Sequence, residues 1–429
     1  MKKILPTLCV AAVLFGLSLP HWTQGGSSVA GFMRKADDAY QKKDYSAFLD
    51  NLKRAKEMAG DDPAVLYNLA CAFALTGNKA DAVKTLDRLA GMELGWDAPS
   101  DPDLASLRDN PGFQAFLGKL EGARKPVARS ETAFTLTERD LFPEGIAYDP
   151  AQEAFYLTSI LKRKIVVRDK AGTVTDFIAP GQDGFLSGLG AAVDASRRIL
   201  WVCTADRPRM EGHNEGTAGL SGIFKYDLTS RKLLKKYVMD GKTGPHLLND
   251  LVVTSQGVVF ATDSLAGAVY RISPEQDDLV LLTPYGLYEY PNGIALSSDE
   301  ATLFVAHASG IATVNLKTGD RGELQHGAKV FIGGIDGLYF FRGSLVGIQS
   351  SARRVVRLVL SKTMDKVDRV EVLEAHNPLF VGMPTTGALV GDTLYYIADS
   401  QLNAVGPDGK FLPTDKLKET TVLKVRTGA

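Results

Sequence analysis

Polar residues with oxygen ligands recur at one place in a series of repeated stretches. Asn249 directly precedes DLVVTSQGVVFATDS, Asn292 precedes GIALSSDEATLFVAHA, and Asp336 precedes GLYFFRGSLVGIQSS. Glu144 holds the same place in the earlier copy FPEGIAYDPAQEAFYLTS. Calcium prefers several oxygen ligands, mixes carboxylate with amide oxygens and tolerates irregular geometry. The pattern therefore indicates a divalent-metal site, most simply for Ca²⁺.

The elements that must position these residues are short strands broken by turns such as DPAQ, SSDE and KTGD. Six versions of one hairpin, each followed by a further strand, give a repeat of about 40 to 50 residues, which is typical of a propeller blade. We therefore predict a mainly β fold, with a six-bladed β-propeller over residues 139–429. The last blade is expected to take its third strand from NAVGPDG at 403–409.

The first strand of each blade lines the central channel of a propeller, so the residues just before these strands should converge on its axis. We call them the axial column. In chain order they are Glu144, Leu189, Asn249, Asn292, Asp336 and Thr386. Four oxygen-bearing side chains without a neighbouring base would be destabilised by desolvation and repulsion, and a divalent cation would remove that penalty. The column lacks Cys and His, which argues against zinc there.

The alternative is that Asn-Gly and Asp-Gly are ordinary turn dipeptides. Leu189 and Thr386 show that the turn itself does not require Asn or Asp, which favours the metal site.

A second set of residues ends the second strand of each hairpin and should overlook the same face. Its members are Ser159, Thr204, Asp263, His307, Gln349 and Asp399. Ser159, Thr204 and Asp399 are as readily explained as turn residues that bond to their own loops.

Asp263 and His307 are candidates for a general base or a substrate contact. His246, three residues before Asn249, enters from the same side. We expect Asp336, or a metal-bound water that it orients, to be the base, with His246 as the second choice.

The motifs FPEGIAYDP, LLNDLVV, YPNGIALSSD and GIDGLYF resemble the metal-site motifs of the senescence marker protein (regucalcin) and gluconolactonase family, whose wider kin include the paraoxonases. The resemblance covers residues 139–429. It implies that Glu144, Asn249, Asn292 and Asp336 hold a catalytic divalent metal, usually calcium, that polarises a lactone, ester or phosphoester. The Asn-Asp pair also resembles the paraoxonase version, in which the Asp, here Asp250, helps to bind a second, structural calcium.

The preceding region has a helical period. Residues 29–124 show apolar spacing that resembles a tetratricopeptide repeat of about 34 residues. Residues 125–138 are predicted to be a linker. The helical module is expected to be either a surface that binds a protein partner or a spacer. Cys71 and Cys203 are expected to be two separate buried thiols; neither lies in a CxxC or His-rich setting, so zinc is not expected at either.

The first residues, 1–24, have a short basic start and an apolar run, which is typical of a secretory signal peptide. The alternative is an uncleaved membrane anchor. No second long apolar stretch follows, so no stable membrane span is expected after signal removal. With 49 basic and 50 acidic residues, nothing favours a nucleic-acid partner. The protein is therefore predicted to be periplasmic or secreted.

Together these features predict an exported, calcium-dependent hydrolase of a small lactone or ester. The alternatives are a non-catalytic propeller that is braced by metal and binds a ligand or protein partner, and a ligand sensor that uses the same pocket without turnover.

Overall fold

A computed structural model of the chain describes residues 29–92, 94, 98–242, 244–327, 329–380, 382–406 and 409–428. The predicted signal peptide, residues 1–24, lies outside them. Among the described helices, none combines the length and apolar character needed to cross a membrane. The chain divides into two compact units: a helical unit that runs to Lys125 and includes His326–Ile332, and a propeller unit made of Pro126–Gln325 and the chain from Gly333 onwards.

Within the described chain, the helical unit contains five α-helices: α1 (Val29–Gln41), α2 (Tyr45–Ala59), α3 (Pro63–Leu75), α4 (Lys79–Ala90) and α5 (Pro111–Ala123). Two short 3₁₀ helices, Ala98–Ser100 and Pro102–Leu107, precede α5. The predicted helical module is therefore confirmed, while its assignment to the tetratricopeptide class stays a prediction.

Consecutive helices of this unit pack against each other, and α3 also packs against the second 3₁₀ helix. Asp44 and Asp62 begin α2 and α3, where their carboxylates accept hydrogen bonds from Ala47 N (3.0 Å) and Val65 N (2.9 Å). Such bonds satisfy backbone donors that the first turn of a helix leaves without partners. Helix α3 is buried on nearly all sides, as its apolar sequence requires.

The described part of the propeller unit contains six four-stranded antiparallel sheets, so the predicted six-bladed propeller is confirmed. The first three blades are β2 (Pro143–Asp149), β3 (Ala154–Ser159), β4 (Ile165–Arg168) and β5 (Val174–Ile178); β6 (Ser187–Asp194), β7 (Ile199–Ala205), β8 (Ser221–Asp227) and β9 (Leu233–Met239); and β10 (Leu248–Val253), β11 (Val259–Asp263), β12 (Ala268–Ile272) and β13 (Val280–Leu281).

The next two blades continue the same order. They consist of β14 (Ile294–Leu296), β15 (Thr302–Ala306), β16 (Ile311–Asn315) and β17 (Arg321–Glu323), and of β18 (Leu338–Phe341), β19 (Ser344–Gln349), β20 (Arg354–Leu360) and β21 (Val367–Ala375). In each of the first five blades, strand order in the sheet follows chain order.

The sixth blade is assembled from both ends of the propeller sequence. It contains β22 (Gly387–Val390), β23 (Thr393–Ile397), β24 (Thr420–Arg426) and, as its outer strand, β1 (Glu131–Leu136). Strand β1 falls in the segment 125–138 that the sequence assigned to a linker, and β24 replaces the expected strand at 403–409. Both differences have one cause: strands that pair over a long separation leave no hairpin pattern in the local sequence.

Candidate functional site

The axial column lies where the innermost strands of the blades begin. Glu144 and Asn249 are the second residues of β2 and β10. Asn292 and Asp336 stand two residues before β14 and β18. These four residues therefore occupy corresponding positions in blades 1, 3, 4 and 5.

Glycine follows the column residue in five of the six blades, and in the first, second, fourth and fifth blades the next blade approaches closely at that point. A Cβ atom on Gly145 would overlap Leu189 O, and one on Gly293 would lie 2.7 Å from Asp336 O. In both cases the obstructing atom belongs to the column residue of the following blade. The Asn-Gly and Asp-Gly pairs thus combine a polar column side chain with a residue that lets neighbouring blades meet. Blade 3 is the exception, with Asp250 in place of glycine.

Threonine hydroxyls connect the residue after one column position to the column residue of the next blade, a role that the sequence did not predict. Thr158 Oγ1 accepts a hydrogen bond from Gly145 N (2.8 Å) and donates one to Leu189 O (2.9 Å). Thr262 Oγ1 accepts from Asp250 N (3.2 Å) and donates to Asn292 O (2.8 Å). Both threonines are the penultimate residue of a second strand, and this shared position is the signal that could have revealed them.

The polar side chains of the column are held by specific bonds. Asn292 Nδ2 donates to Asp336 Oδ1 at 2.5 Å, and Ser350 Oγ donates to Asp336 Oδ2 at 2.9 Å. Asn249 Nδ2 donates to Ser264 Oγ at 2.9 Å, which turns the amide oxygen Oδ1 away from Ser264. The column therefore presents oriented amide and carboxylate groups.

Two oxygen atoms of the column are buried without a hydrogen-bond partner: Glu144 Oε2 and Asn292 Oδ1. A buried acceptor without a partner costs about 1–3 kcal/mol, and more when it is charged. Both atoms belong to predicted metal ligands, and a cation bound between them would offset that cost. The residues present thus fit an oxygen-ligated divalent ion.

Burial dominates the electrostatics of the site. It raises the pKa of the Glu144 carboxyl well above its usual range, and the charges of Asp336 and Asp250 raise it further, while Arg207 opposes the shift. Burial also raises the pKa of Asp250 to about 7. The pKa of Asp336 is raised for the same reason, although the bonds from Ser350 and Asn292 act in the opposite direction. Simultaneous ionisation of the Glu144, Asp250 and Asp336 carboxyl groups is therefore strongly unfavourable without a cation.

Arg207 is a second feature that the sequence analysis missed. It is buried in the segment that follows β7, and its charge favours the ionised form of Glu144. Burial lowers the pKa of its own guanidinium, which Tyr290 and Glu144 counteract. Its position in an insertion, rather than in the repeated hairpin, explains why the alignment of blades did not single it out.

His246 and Asp263 form a buried pair beside Asn249. His246 Nδ1 lies 2.6 Å from Asp263 Oδ2. The other oxygen, Asp263 Oδ1, accepts hydrogen bonds from Leu247 N (2.9 Å) and Ala266 N (3.0 Å). Asp263 is the last residue of β11 and pairs with Leu248, the residue before Asn249. The structure therefore brings two of the candidate proton-transfer residues together at the column end of blade 3.

His307 is placed differently. Its Nε2 atom lies 3.0 Å from Glu323 Oε2, on the outermost strand of its blade, and its ring stacks on Tyr288. In the described structure its ring hydrogen-bonds to Glu323 and Ser309, and neither partner belongs to the column. Its bonding thus directs His307 towards the edge of blade 4.

Residues 142–341 match the model of the family described as SMP-30/Gluconolactonase/LRE-like region. The resemblance indicated by the motifs is confirmed over these residues, which include the four predicted ligands Glu144, Asn249, Asn292 and Asp336. No curated protein sequence matches the chain.

Several solved structures are similar to this chain. A gluconolactonase from Xanthomonas campestris has 19% sequence identity and a TM-score of 0.47, with 70% of this chain and 95% of that chain covered. Virginiamycin B lyase from Staphylococcus aureus has 16% identity and a TM-score of 0.42, covering 61% and 80%. An aldose sugar dehydrogenase from Streptomyces coelicolor has 16% identity and a TM-score of 0.47, covering 70% and 99%.

Proposed function

We propose that the propeller is a calcium-dependent hydrolase of a small lactone or ester. The observation that carries this proposal is the pair of buried oxygens without partners, Glu144 Oε2 and Asn292 Oδ1, in a column that also contains Asp336. The match of residues 142–341 to a gluconolactonase-like family supports the choice of a lactone.

Glu144, Asn249, Asn292 and Asp336 would hold the ion. Their donor set is all oxygen, with two carboxylates and two amides, which suits Ca²⁺ better than zinc. When bound, the ion supplies Lewis-acid polarisation of the substrate carbonyl. The hydrogen bonds from Asn249 to Ser264 and from Ser350 to Asp336 fix the orientation of the ligands, as outer hydrogen bonds do at metal sites generally.

We assign proton transfer to His246 rather than to Asp336. Both oxygens of Asp336 already accept hydrogen bonds, which hold the carboxylate in one orientation and make it less ready to accept a proton. A proton held between His246 Nδ1 and Asp263 Oδ2 makes Nε2 the basic nitrogen of the imidazole. His246 would accept the proton of the attacking water at Nε2, and the Asp263 carboxylate would stabilise the resulting imidazolium.

Arg207 would limit the net negative charge of the site. Its buried guanidinium interacts with Glu144 and offsets part of the repulsion among the carboxylates. It therefore helps Glu144 to remain charged in a buried place.

The decisive experiment measures hydrolysis of a panel of sugar lactones and aryl esters, with added calcium and with a chelator. The variants are Asn292→Ala and, as a matched control, Asn315→Ala, which removes an ordinary turn asparagine of the same blade whose Oδ1 accepts from Lys317 N and Thr318 N. Activity lost in chelator and in Asn292→Ala, but kept in Asn315→Ala, supports the proposal. Equal losses in both variants would favour the turn explanation.

Thermal stabilisation by calcium without turnover on any substrate would instead indicate the alternative, a propeller that is braced by metal and binds a ligand. Export directed by residues 1–24 and partner binding by the helical unit are separate proposals. The first is tested by following the full chain and a chain without those residues in fractionated cells. The second is tested by partner capture with the full chain.

A further inference from the structure

A second buried polar cluster lies in the helical unit. It consists of Cys71 on α3, with Asp101 and Asp103 at the start of the 3₁₀ helix Pro102–Leu107. Their exposed fractions are 0%, 4% and 7%. One sulfur or oxygen atom from each residue lies within 4.8 Å of those of the other two. Three potential metal ligands are therefore gathered in an interior place.

Hydrogen bonds satisfy most of the cluster but leave one atom without a partner. Tyr67 OH donates to Asp101 Oδ2 at 2.7 Å, and Tyr40 OH donates to Asp103 Oδ1 at 3.0 Å. Asp103 N donates to Asp101 Oδ1 at 2.9 Å. The remaining oxygen, Asp103 Oδ2, is buried and has no hydrogen-bond partner. Such an atom needs a donor or a cation.

The charge of the cluster also favours a bound cation. Among the described residues, neither Asp101 nor Asp103 forms an ion pair with a basic side chain. Two adjacent buried carboxylates without a counter-charge are unfavourable, and a divalent cation would reverse that balance.

The type of ligand atoms selects the ion. A thiolate with two carboxylates suits zinc, whereas calcium and magnesium prefer oxygen alone. At zinc bond lengths of about 2.3 Å to sulfur and about 2.1 Å to oxygen, two ligand atoms of a tetrahedral site lie about 3.6 Å apart. Without a metal the Cys71 thiol donates a hydrogen bond to Asp101 Oδ2, and the 3.9 Å between Sγ and this oxygen is close to that separation.

We propose that Cys71, Asp101 and Asp103 form a zinc site that braces the helical unit, with water as the fourth ligand. The site would join α3 to the 3₁₀ segment. Tyr67 and Tyr40 would orient the two carboxylates, and Tyr40 would connect α1 to the same cluster. This inference is independent of the proposed hydrolase, because its residues belong to the helical unit.

The sequence predicted no zinc at Cys71 because no other Cys or His stands nearby in the chain. The proposed ligands are instead aspartates about 30 residues away, brought in by the fold. Neither their spacing nor their type forms a recognised zinc motif.

The test uses the full chain, stripped of metal with chelator and titrated with Co²⁺ as a spectroscopic substitute for zinc. A thiolate ligand gives a sulfur-to-cobalt charge-transfer band in the near ultraviolet. We expect one equivalent of this band in the parent chain. Cys71→Ala should abolish it. The matched control Cys203→Ala, which removes the other buried thiol, in β7 of the propeller, should keep it. Zinc should displace the band, and calcium should not.

A second variant distinguishes a metal site from a cluster that is held together by hydrogen bonds alone. Asp103→Asn should weaken Co²⁺ binding at least tenfold, yet raise the melting temperature in chelator, because it removes the repulsion between buried carboxylates. The proposal is overturned if the parent chain shows no band or if the band survives Cys71→Ala. It is also overturned if Asp103→Asn leaves Co²⁺ affinity unchanged, or lowers the melting temperature equally with zinc and with chelator.

Discussion

The axial column of the propeller and the Cys71 cluster of the helical unit both bury carboxylates, but they are built in different ways. The column draws one residue from each of several blades, so residues far apart in the chain meet because they hold the same position in a repeat. The cluster draws on one helix and one irregular segment, and two tyrosines orient its carboxylates. A site built from a repeated position can therefore be recognised in the sequence. A site formed by a single contact between one helix and one irregular segment leaves no such repeated pattern.

The largest expected effect is on the column. Asp336→Asn keeps the shape of the side chain but removes one of the two carboxylates proposed to hold the ion. We expect lactone or ester hydrolysis to fall by about 10³-fold, because metal catalysis contributes several kcal/mol of transition-state stabilisation. The measurement is kcat/KM at saturating calcium.

Asp399→Asn is the matched control for this variant. Asp399 is a buried carboxylate two residues after β23, the second strand of the sixth blade, and its Oδ1 accepts a hydrogen bond from Gln401 N (2.9 Å). Its loss should change hydrolysis by less than about threefold. If both variants lose activity equally, the column has no special role and the comparison between the two regions fails.

The next effect distinguishes two histidines of the propeller. His246→Gln should lower kcat by about 10²-fold or more, the usual contribution of a general base, with little change in KM. His307→Gln should leave kcat within about threefold, because the His307 ring bonds to Glu323 rather than to the column. Steady-state kinetics of the two variants measure these effects. A larger loss of kcat in His307→Gln than in His246→Gln would contradict the proposal that His246 is the general base.

A smaller effect concerns stability against pH in the absence of metal. Asp250 has a pKa of about 7 in the folded chain, above its ordinary value of 3.8. The folded state thus holds a proton that the unfolded state has lost between these pH values, so stability in chelator should fall as pH rises from about 5 to 8. The expected change in the free energy of unfolding over this pH range is on the order of a few kcal/mol.

Denaturant titrations at pH 5 and pH 8 measure this slope. Asp250→Asn should be more stable than the parent chain at pH 8 in chelator and should show a shallower dependence. Added calcium should also flatten the slope in the parent chain, since a nearby cation favours ionised carboxylates. An unchanged slope in Asp250→Asn would assign the pH dependence to another group.

The smallest effect tests the helical side of the comparison. Tyr40→Phe removes the hydroxyl that bonds to Asp103 and should destabilise the helical unit by about 1 kcal/mol. Hydrolysis should not change, because Tyr40 belongs to the other unit. Tyr45→Phe, at a neighbouring tyrosine in ring contact with Tyr40, is the control and should be close to neutral. A loss of hydrolysis in Tyr40→Phe would show that the two regions are coupled.

The sequence predicts the repeated part of the molecule well. The six hairpins, their order and the column positions all follow from alternating strands and recurring turns, because these patterns reflect local burial. The glycines after the column can also be read from the sequence. Their role in close packing between blades requires the structure, in which a Cβ atom on Gly145 would overlap Leu189 O.

The parts that the sequence did not predict all depend on contacts between distant residues. The pairing of β1 with β24 joins segments at opposite ends of the propeller sequence. Arg207 comes from an insertion, and the partner of His307 lies on an outer strand. No short-range pattern encodes such contacts, so physical reasoning from the sequence could name His246 and Asp263 as candidates but not their bond.

The closure of the sixth blade also constrains how the chain can fold. Strand β1 is synthesised before any other strand of the propeller, yet its partner β24 is the last to appear. Until then, the backbone groups of β1 form an open strand edge that another nascent chain could pair with. Ring closure must therefore be a late event with a high contact order, and late events of this kind are slow and prone to misassembly.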